Sequence, residues 1–209
     1  MNGKNISSLS VSNLKDLRLF FFRSPALNDM NNLKGLNRLT KLESLVVAHT
    51  NINAIHNINK LTNLKYLGLG FNKIEKIEDL ENLTQLENLS LLDNNIKKIE
   101  GLETLKKLKK LDLSKNPILL FEGVNSPEIE EINLSKTKIF TIKGFENFPK
   151  LKVVNLSNTN VRSIEGFENY PAQRKELLEI TLAGNGFSGK DFKPYFDQLR
   201  KRRLFLTTY

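Results

Sequence analysis

The chain is expected to fold as a single α/β solenoid of stacked short coils, and three features of its sequence lead there. First, Leu64, Leu67, Leu69, Asn72, Ile74 and Ile77 recur 22 positions later as Leu86, Leu89, Leu91, Asn94, Ile96 and Ile99, and again as Leu108, Leu111, Leu113, Asn116, Ile118 and Phe121. A fixed period of this length marks a repeat architecture, in which no unit buries its own apolar face and each must stack on the next. Second, the LxL core of each unit alternates apolar and solvent-facing positions, as a half-buried strand does. Third, apolar residues then return about every third position (Ile77, Leu80, Leu83, Leu86), which suits a tight 3₁₀-like or short helical turn.

The frame extends both ways. Upstream lie Leu42, Leu45, Val47, Thr50, Ile52 and Ile55. Downstream come Ile129, Ile132, Leu134, Thr137, Ile139 and Ile142, then Leu151, Val154, Leu156, Thr159, Val161 and Ile164. Imperfect units flank these at Leu14, Leu17, Leu19 with Phe22, and at Leu177, Ile180, Leu182, Asn185 with Phe187, making eight in all. Ile58, Phe145, Phe148, Phe167 and Tyr170 read as fillers of the outer side of the stack. The repeated Asn has a physical task. Each chain reversal leaves inward-facing backbone groups, and an amide has both donors and an acceptor to satisfy them as a ladder. Thr50, Thr137 and Thr159 keep only a hydroxyl, and Phe22 contributes nothing.

One domain spans 1–209, with a cap and irregular first repeat over 1–41, regular repeats over 42–170, and a last repeat and cap over 171–209. At the start, Ser24 and Pro25 read as a helix entry. Leu27, Met30, Leu33 and Leu36 continue one stripe and lengthen that unit by about six residues. Residues 171–176 add about four, as a turn of helix. Ser188 and Asp191 form a capping box, followed by an amphipathic helix carrying Phe192, Tyr195, Phe196 and Leu199. Leu204 and Leu206 begin a terminal strand.

Composition narrows the function. The chain has no cysteine, which removes disulfides, thiolate chemistry and Cys-based metal sites together. No stretch has the length of a membrane span, and residues 1–10 lack the apolar core of a secretory signal. A cytoplasmic or nuclear protein is the expectation. The net charge of +9 raises nucleic acid or an anionic membrane as partners, through Lys106, Lys107, Lys109, Lys110 and residues 200–203. Single-strand binders interleave such patches with stacking aromatics, however, and here the aromatics lie elsewhere. His49 and His56, the only histidines, fall on different faces of one unit, and no phosphate-cradling loop is present. No catalytic centre and no cofactor are expected.

These motifs resemble the leucine-rich repeat family, specifically its 22-residue class, which includes the leucine-rich regulatory subunit of type-one protein phosphatase and the bacterial internalins. The resemblance is strong over residues 42–164 and weak at both ends. It implies a right-handed curved solenoid with a parallel sheet on the concave face, short 3₁₀ or helical turns on the convex face, and protein binding through the concave side. The expected protein is thus a monomeric, non-catalytic adaptor or regulatory subunit, phosphatase regulation being its most specific form. An internalin-like bacterial ligand or effector is the alternative.

Side chains flanking the strand leucines should line that concave face. The first four units carry Phe20, Phe21, Val46, His49, Tyr66, Phe71, Leu92 and Asp93 there, whereas later units present Ser114, Ser135 and Ser157. Neighbouring exposed aromatics are the usual composition of binding hot spots. Gly68 and Gly70 should deepen the surface between Tyr66, Phe71 and Leu92, and residues 1–13 offer a competing cover for Phe20 and Phe21.

Overall fold

The computed structural model describes residues 13–20, 27–165, 169–170 and 177–208. Among them nine strands form one sheet in strict chain order, every neighbouring pair parallel. The strands are β1 (Asp16–Phe20), β2 (Ser44–Ala48), β3 (Tyr66–Gly68), β4 (Asn88–Ser90), β5 (Lys110–Asp112), β6 (Glu131–Asn133), β7 (Val153–Asn155), β8 (Leu178–Thr181) and β9 (Leu204–Thr207). Register follows the repeat. Leu45, Leu67, Leu89, Leu111, Ile132, Val154 and Ile180 stand side by side and are all buried. Each such side chain contributes about 1.5–3 kcal/mol by leaving water. Asp16 pairs with Ser44 and Val153 with Glu179, so the first and seventh coils are longer than the 22-residue period, as the apolar spacing predicts.

The convex side is narrow. Among the described residues, short 3₁₀ segments occur at Met30–Asn32, Leu36–Arg38 and Phe145–Asn147, and simple turns serve the second to fifth coils. Their inward residues (Leu27, Met30, Leu33, Leu36, Ile58, Phe145, Phe148) are buried, and the Tyr170 hydroxyl donates to the Ile142 carbonyl at 3.1 Å. Behind the strands runs the asparagine ladder. The Asn94 amide donates to the carbonyls of Leu69, Leu91 and Leu92 at 3.0, 2.9 and 3.3 Å and accepts from the Ile74 amide at 3.0 Å. Asn116 bonds in the same pattern; Asn72 donates likewise but accepts from the Thr50 amide and hydroxyl, whereas Thr137 reaches only the Leu134 carbonyl, at 2.6 Å.

Two short α-helices and a 3₁₀ turn between them cap the far end. Ser188 and Asp191 make the predicted capping box, and backbone and hydroxyl bonds from Ser188 hold the Asp191 carboxyl below its usual range. The expected single helix is divided into α1 (Gly189–Phe192), a 3₁₀ turn over Lys193–Tyr195, and α2 (Phe196–Lys201). Pro194 lacks the amide hydrogen that would continue α1. The break shifts the phase, so Phe192 and Leu199 are buried while Tyr195 is exposed. Beyond the cap, β9 adds to β8, and an open cavity of about 650 Å³ remains between α2 and β9, lined by Leu177, Phe205 and their neighbours.

Phe21, Phe22, Phe167, the Ser24–Pro25 helix entry, the turn at 171–176 and the cover proposed for residues 1–12 lie outside the described residues, as do the side chains of Phe20 and Phe196.

Candidate protein-binding face

The exposed face of the sheet is bounded by two rows of side chains, each set by where the chain enters or leaves its strands. At the exit, the residue before each ladder Asn or Thr adopts the left-handed conformation. These residues are His49, Phe71, Asp93, Lys115, Lys136 and Asn158, with φ of 55, 58, 57, 55, 58 and 55°. That conformation is costly for a residue with a Cβ. It persists because it turns each amide toward the next coil: Phe71 donates to the Leu92 carbonyl at 2.7 Å, Asp93 to Ser114 at 2.9 Å, and Lys115 to Ser135 at 2.8 Å. The six side chains are thereby thrown onto one rim at inter-strand spacing. His49 consequently stacks on Phe71, with centroids 4.2 Å apart and planes within 10°. Lys115 Nζ lies 5.4 Å from the Phe71 centroid and 3.4 Å from the Asp93 carboxylate. A cation over a ring and two stacked rings are both attractive contacts, so this row is held in place before any partner arrives.

At the strand entry the residues alternate in charge: Lys15, Glu43, Lys65, Glu87, Lys109, Glu130 and Lys152. Their backbones are hydrogen-bonded in sequence, so an exact repeat would set like charges beside each other. Alternation instead pairs Glu43 with both Lys15 and Lys65 at 2.8 Å, Glu87 with Lys109 at 2.8 Å, and Glu130 with Lys152 at 2.9 Å. The Lys15 and Lys65 ammonium groups hold the Glu43 carboxyl down to about 2. Glu87 and Glu130 are lowered by Lys109 and Lys152 respectively, and Lys65 and Lys109 are raised by the same bonds.

Between these rows lies a shallow groove of about 390 Å³, running from Tyr66 across Asn88, Ser90, Lys110, Asp112, Glu131 and Asn133 to Val153 and Asn155. The Asn133 and Asn155 amide oxygens accept from the backbone of Ser135 and Ser157 at 3.1 and 3.0 Å, which leaves their NH₂ ends for the groove. Lys110 and Glu131 pair across it at 2.6 Å. Val153, 38% exposed, and Tyr66, 39% exposed, supply apolar surface at its ends.

Three expectations about this face need correction. The groove does not lie between Tyr66, Phe71 and Leu92. A Cβ on Gly68 would stand 3.1 Å from the Tyr66 ring, and one on Gly70 would stand 3.2 Å from the Leu92 carbonyl, so the room these glycines leave is already filled. Ser114 is not a surface residue; it is buried, its hydroxyl donating to Asp112 at 2.6 Å. The lysine cluster is only in part a free positive patch. Lys109 and Lys110 are ion-paired, Lys107 donates to Gln85 at 2.6 Å, and Lys106 donates to the Asn125 carbonyl at 3.1 Å.

Of the predicted site residues, Tyr66 lines the groove, while His49, Phe71 and Asp93 form the rim. Val46 and Leu92 are half-buried between them, the backbone of Phe20 pairs with Ala48, and Phe21 is outside the described residues. The polar groove residues were missed because no single repeat contains the groove; it spans five strands, β3 to β7. His56, away from this face, sits 3.3 Å from Asp79, and no cluster of three potential metal ligands occurs among the described residues.

A stacked parallel sheet with an inward asparagine ladder defines a leucine-rich repeat solenoid, and the comparisons with known proteins agree. The model for leucine-rich repeats in two copies matches residues 40–82 and 84–126. The fold is similar to that of an internalin (inlF) from Listeria monocytogenes, with 24% identity, a TM-score of 0.70, and coverage of 84% of this chain and 50% of that one. Internalin C2 (inlC2) of the same bacterium gives 19% identity, a TM-score of 0.73, and coverage of 93% and 80%. A leucine-rich repeat protein of Leptospira interrogans gives 23%, 0.71, 92% and 48%. No curated protein sequence matches the chain. The chain thus has the fold of a leucine-rich repeat solenoid, similar to that of the bacterial internalins, and it spans about half the length of the first of them.

Proposed function

We propose that the protein is a non-catalytic interaction module, monomeric and intracellular, that binds an extended segment of a partner protein along the concave face of its sheet. The carrying observation is the open groove from Tyr66 to Asn155, on the same sheet face that the His49–Phe71 rim bounds. It offers both donors (the Asn133 and Asn155 NH₂ groups) and acceptors (Asp112, Glu131), which suits a peptide backbone, while Tyr66, Phe71 and Val153 suit apolar side chains. An adaptor or regulatory subunit, phosphatase-directed in its most specific form, follows from the sequence resemblance alone. The internalin-like reading, a bacterial ligand or effector, draws in addition on the likeness of fold. Against binding of nucleic acid through Lys106, Lys107, Lys109 and Lys110 stand the ion pairs of Lys109 with Glu87 and Lys110 with Glu131, whereas Lys106 and Lys107 keep their charge on neutral acceptors.

The test begins with a partner captured from the native lysate and continues by titration calorimetry. Tyr66→Ala with Phe71→Ala should weaken binding by about 2 kcal/mol or more while leaving the melting temperature nearly unchanged, since both side chains project from the sheet. Ser135→Ala with Ser157→Ala should alter binding little. A partner that loses affinity only when the four lysines are neutralised would replace this reading with the electrostatic one.

A further inference from the structure

The chain's most exposed apolar side chains are not all on the sheet face. Leu119 (52% exposed), Leu120 (45%) and Phe140 (54%) stand together on the flank where the fifth and sixth coils ascend from their strands. The Lys138 amide donates to the Ile118 carbonyl at 2.8 Å, which holds these two coils side by side and brings Phe140 next to Leu119. The repeat shows that the patch is particular to this place. Positions equivalent to Leu119 hold Glu75 and Lys97 in the preceding coils and Arg162 in the following one; positions equivalent to Leu120 hold Lys76, Lys98, Thr141 and Ser163. Nothing in the core requires the change, because the inward Ile118, Phe121, Ile139 and Ile142 keep the ordinary pattern and are buried.

The surroundings are basic. Lys97, Lys136, Lys138 and Lys143 are exposed, and among the described residues none of the four has a carboxylate within 4.0 Å, unlike the lysines of the strand-entry ladder. None of the three apolar residues lines the sheet groove or the C-terminal cavity. They protrude, so a rigid partner would need a matching hollow, whereas a lipid interface yields around them. Apolar side chains at the acyl boundary with lysines reaching the headgroups is the arrangement of peripheral attachment to anionic lipid.

We infer that this flank docks the protein on an anionic membrane surface, with Leu119, Leu120 and Phe140 entering the interface and Lys97, Lys136, Lys138 and Lys143 meeting acidic headgroups. The basic charge that composition alone could not place thereby acquires a location, beside the sheet face and sharing with it only the rim residue Lys136.

Vesicle co-sedimentation tests it, using phosphatidylcholine vesicles with and without phosphatidylserine. The wild-type chain should bind the anionic vesicles and not the neutral ones. Leu119→Ser, Leu120→Ser and Phe140→Ser together should reduce binding by about tenfold or more, and Lys97→Gln, Lys136→Gln, Lys138→Gln and Lys143→Gln together by a similar factor. Circular dichroism checks folding, and Phe140→Ser alone, with a smaller loss in the same direction, serves if the triple variant is unfolded. Tyr66→Ala with Phe71→Ala should bind vesicles normally. Absence of wild-type binding overturns the proposal, as does binding that survives the serine substitutions. Concentration-dependent self-association abolished by those same substitutions, without vesicle binding, would assign the patch to a second copy of the chain instead.

Discussion

At the scale of single residues, the turns are held by amides whose hydrogen-bonding capacity is nearly filled. Asn94, buried behind the strands, satisfies three carbonyls and one amide hydrogen. Asn94→Ala should therefore cost about 2–3 kcal/mol, because the partners stay buried and unpaired. Thr137 makes one such bond, so Thr137→Ala should cost about 1 kcal/mol. Urea melts of the two variants check the ranking, and equal losses would mean that the ladder is not what holds the turns. The ladder was legible in the sequence because Asn recurs in frame with the leucines. The left-handed rim was not. Its positions hold His, Phe, Asp, Lys and Asn with no common side chain, since the requirement there is on the backbone amide, and stacking of His49 on Phe71 becomes visible only once that backbone is known.

At the scale of elements, short strands of only three residues each keep a single register across most of the sheet. The entry ladder of alternating Lys and Glu helps to fix that register, because displacing a coil by one repeat would bring Lys against Lys. Glu43 provides the pH test. Its carboxyl ionises more readily folded, at about 2, than at its ordinary 4.5, so folding is favoured by its ionised form. That contribution is complete above about 4.5 and is lost as pH falls toward 2; Glu87 and Glu130 act in the same direction. The melting temperature should fall through this window more steeply for the wild type than for Glu43→Gln. Added salt should narrow the difference, since these groups are partly exposed and solvent-screened. Identical acid profiles would show that the ladder pairs contribute nothing to stability. The alternation is present in the sequence, but it sits one position outside the LxL frame, and its meaning depends on which residues the register places side by side.

At the scale of the whole molecule, a solenoid is stabilised coil by coil, so its ends carry a cost its middle does not. The C-terminal end is closed by α1, α2 and β9, which place Phe192, Leu199 and Leu204 over the last coil. The capping box, the apolar residues and the terminal strand were all legible locally; the phase change at Pro194 was overlooked, and with it the exposure of Tyr195. Removing everything after Phe187 should strip about 1.5–3 kcal/mol for each of those three side chains and uncover Leu178, Ile180 and Leu182. Because neighbouring coils support one another in series, the loss should appear first as fraying of β8, then of β7, with the central coils resisting longest. Hydrogen exchange along the chain would follow that order, and size-exclusion chromatography should show association through the bared edge. A truncated protein that stays monomeric, with β8 as protected as in the parent, would mean that the last coil is self-sufficient and that the C-terminal segment is not its cap.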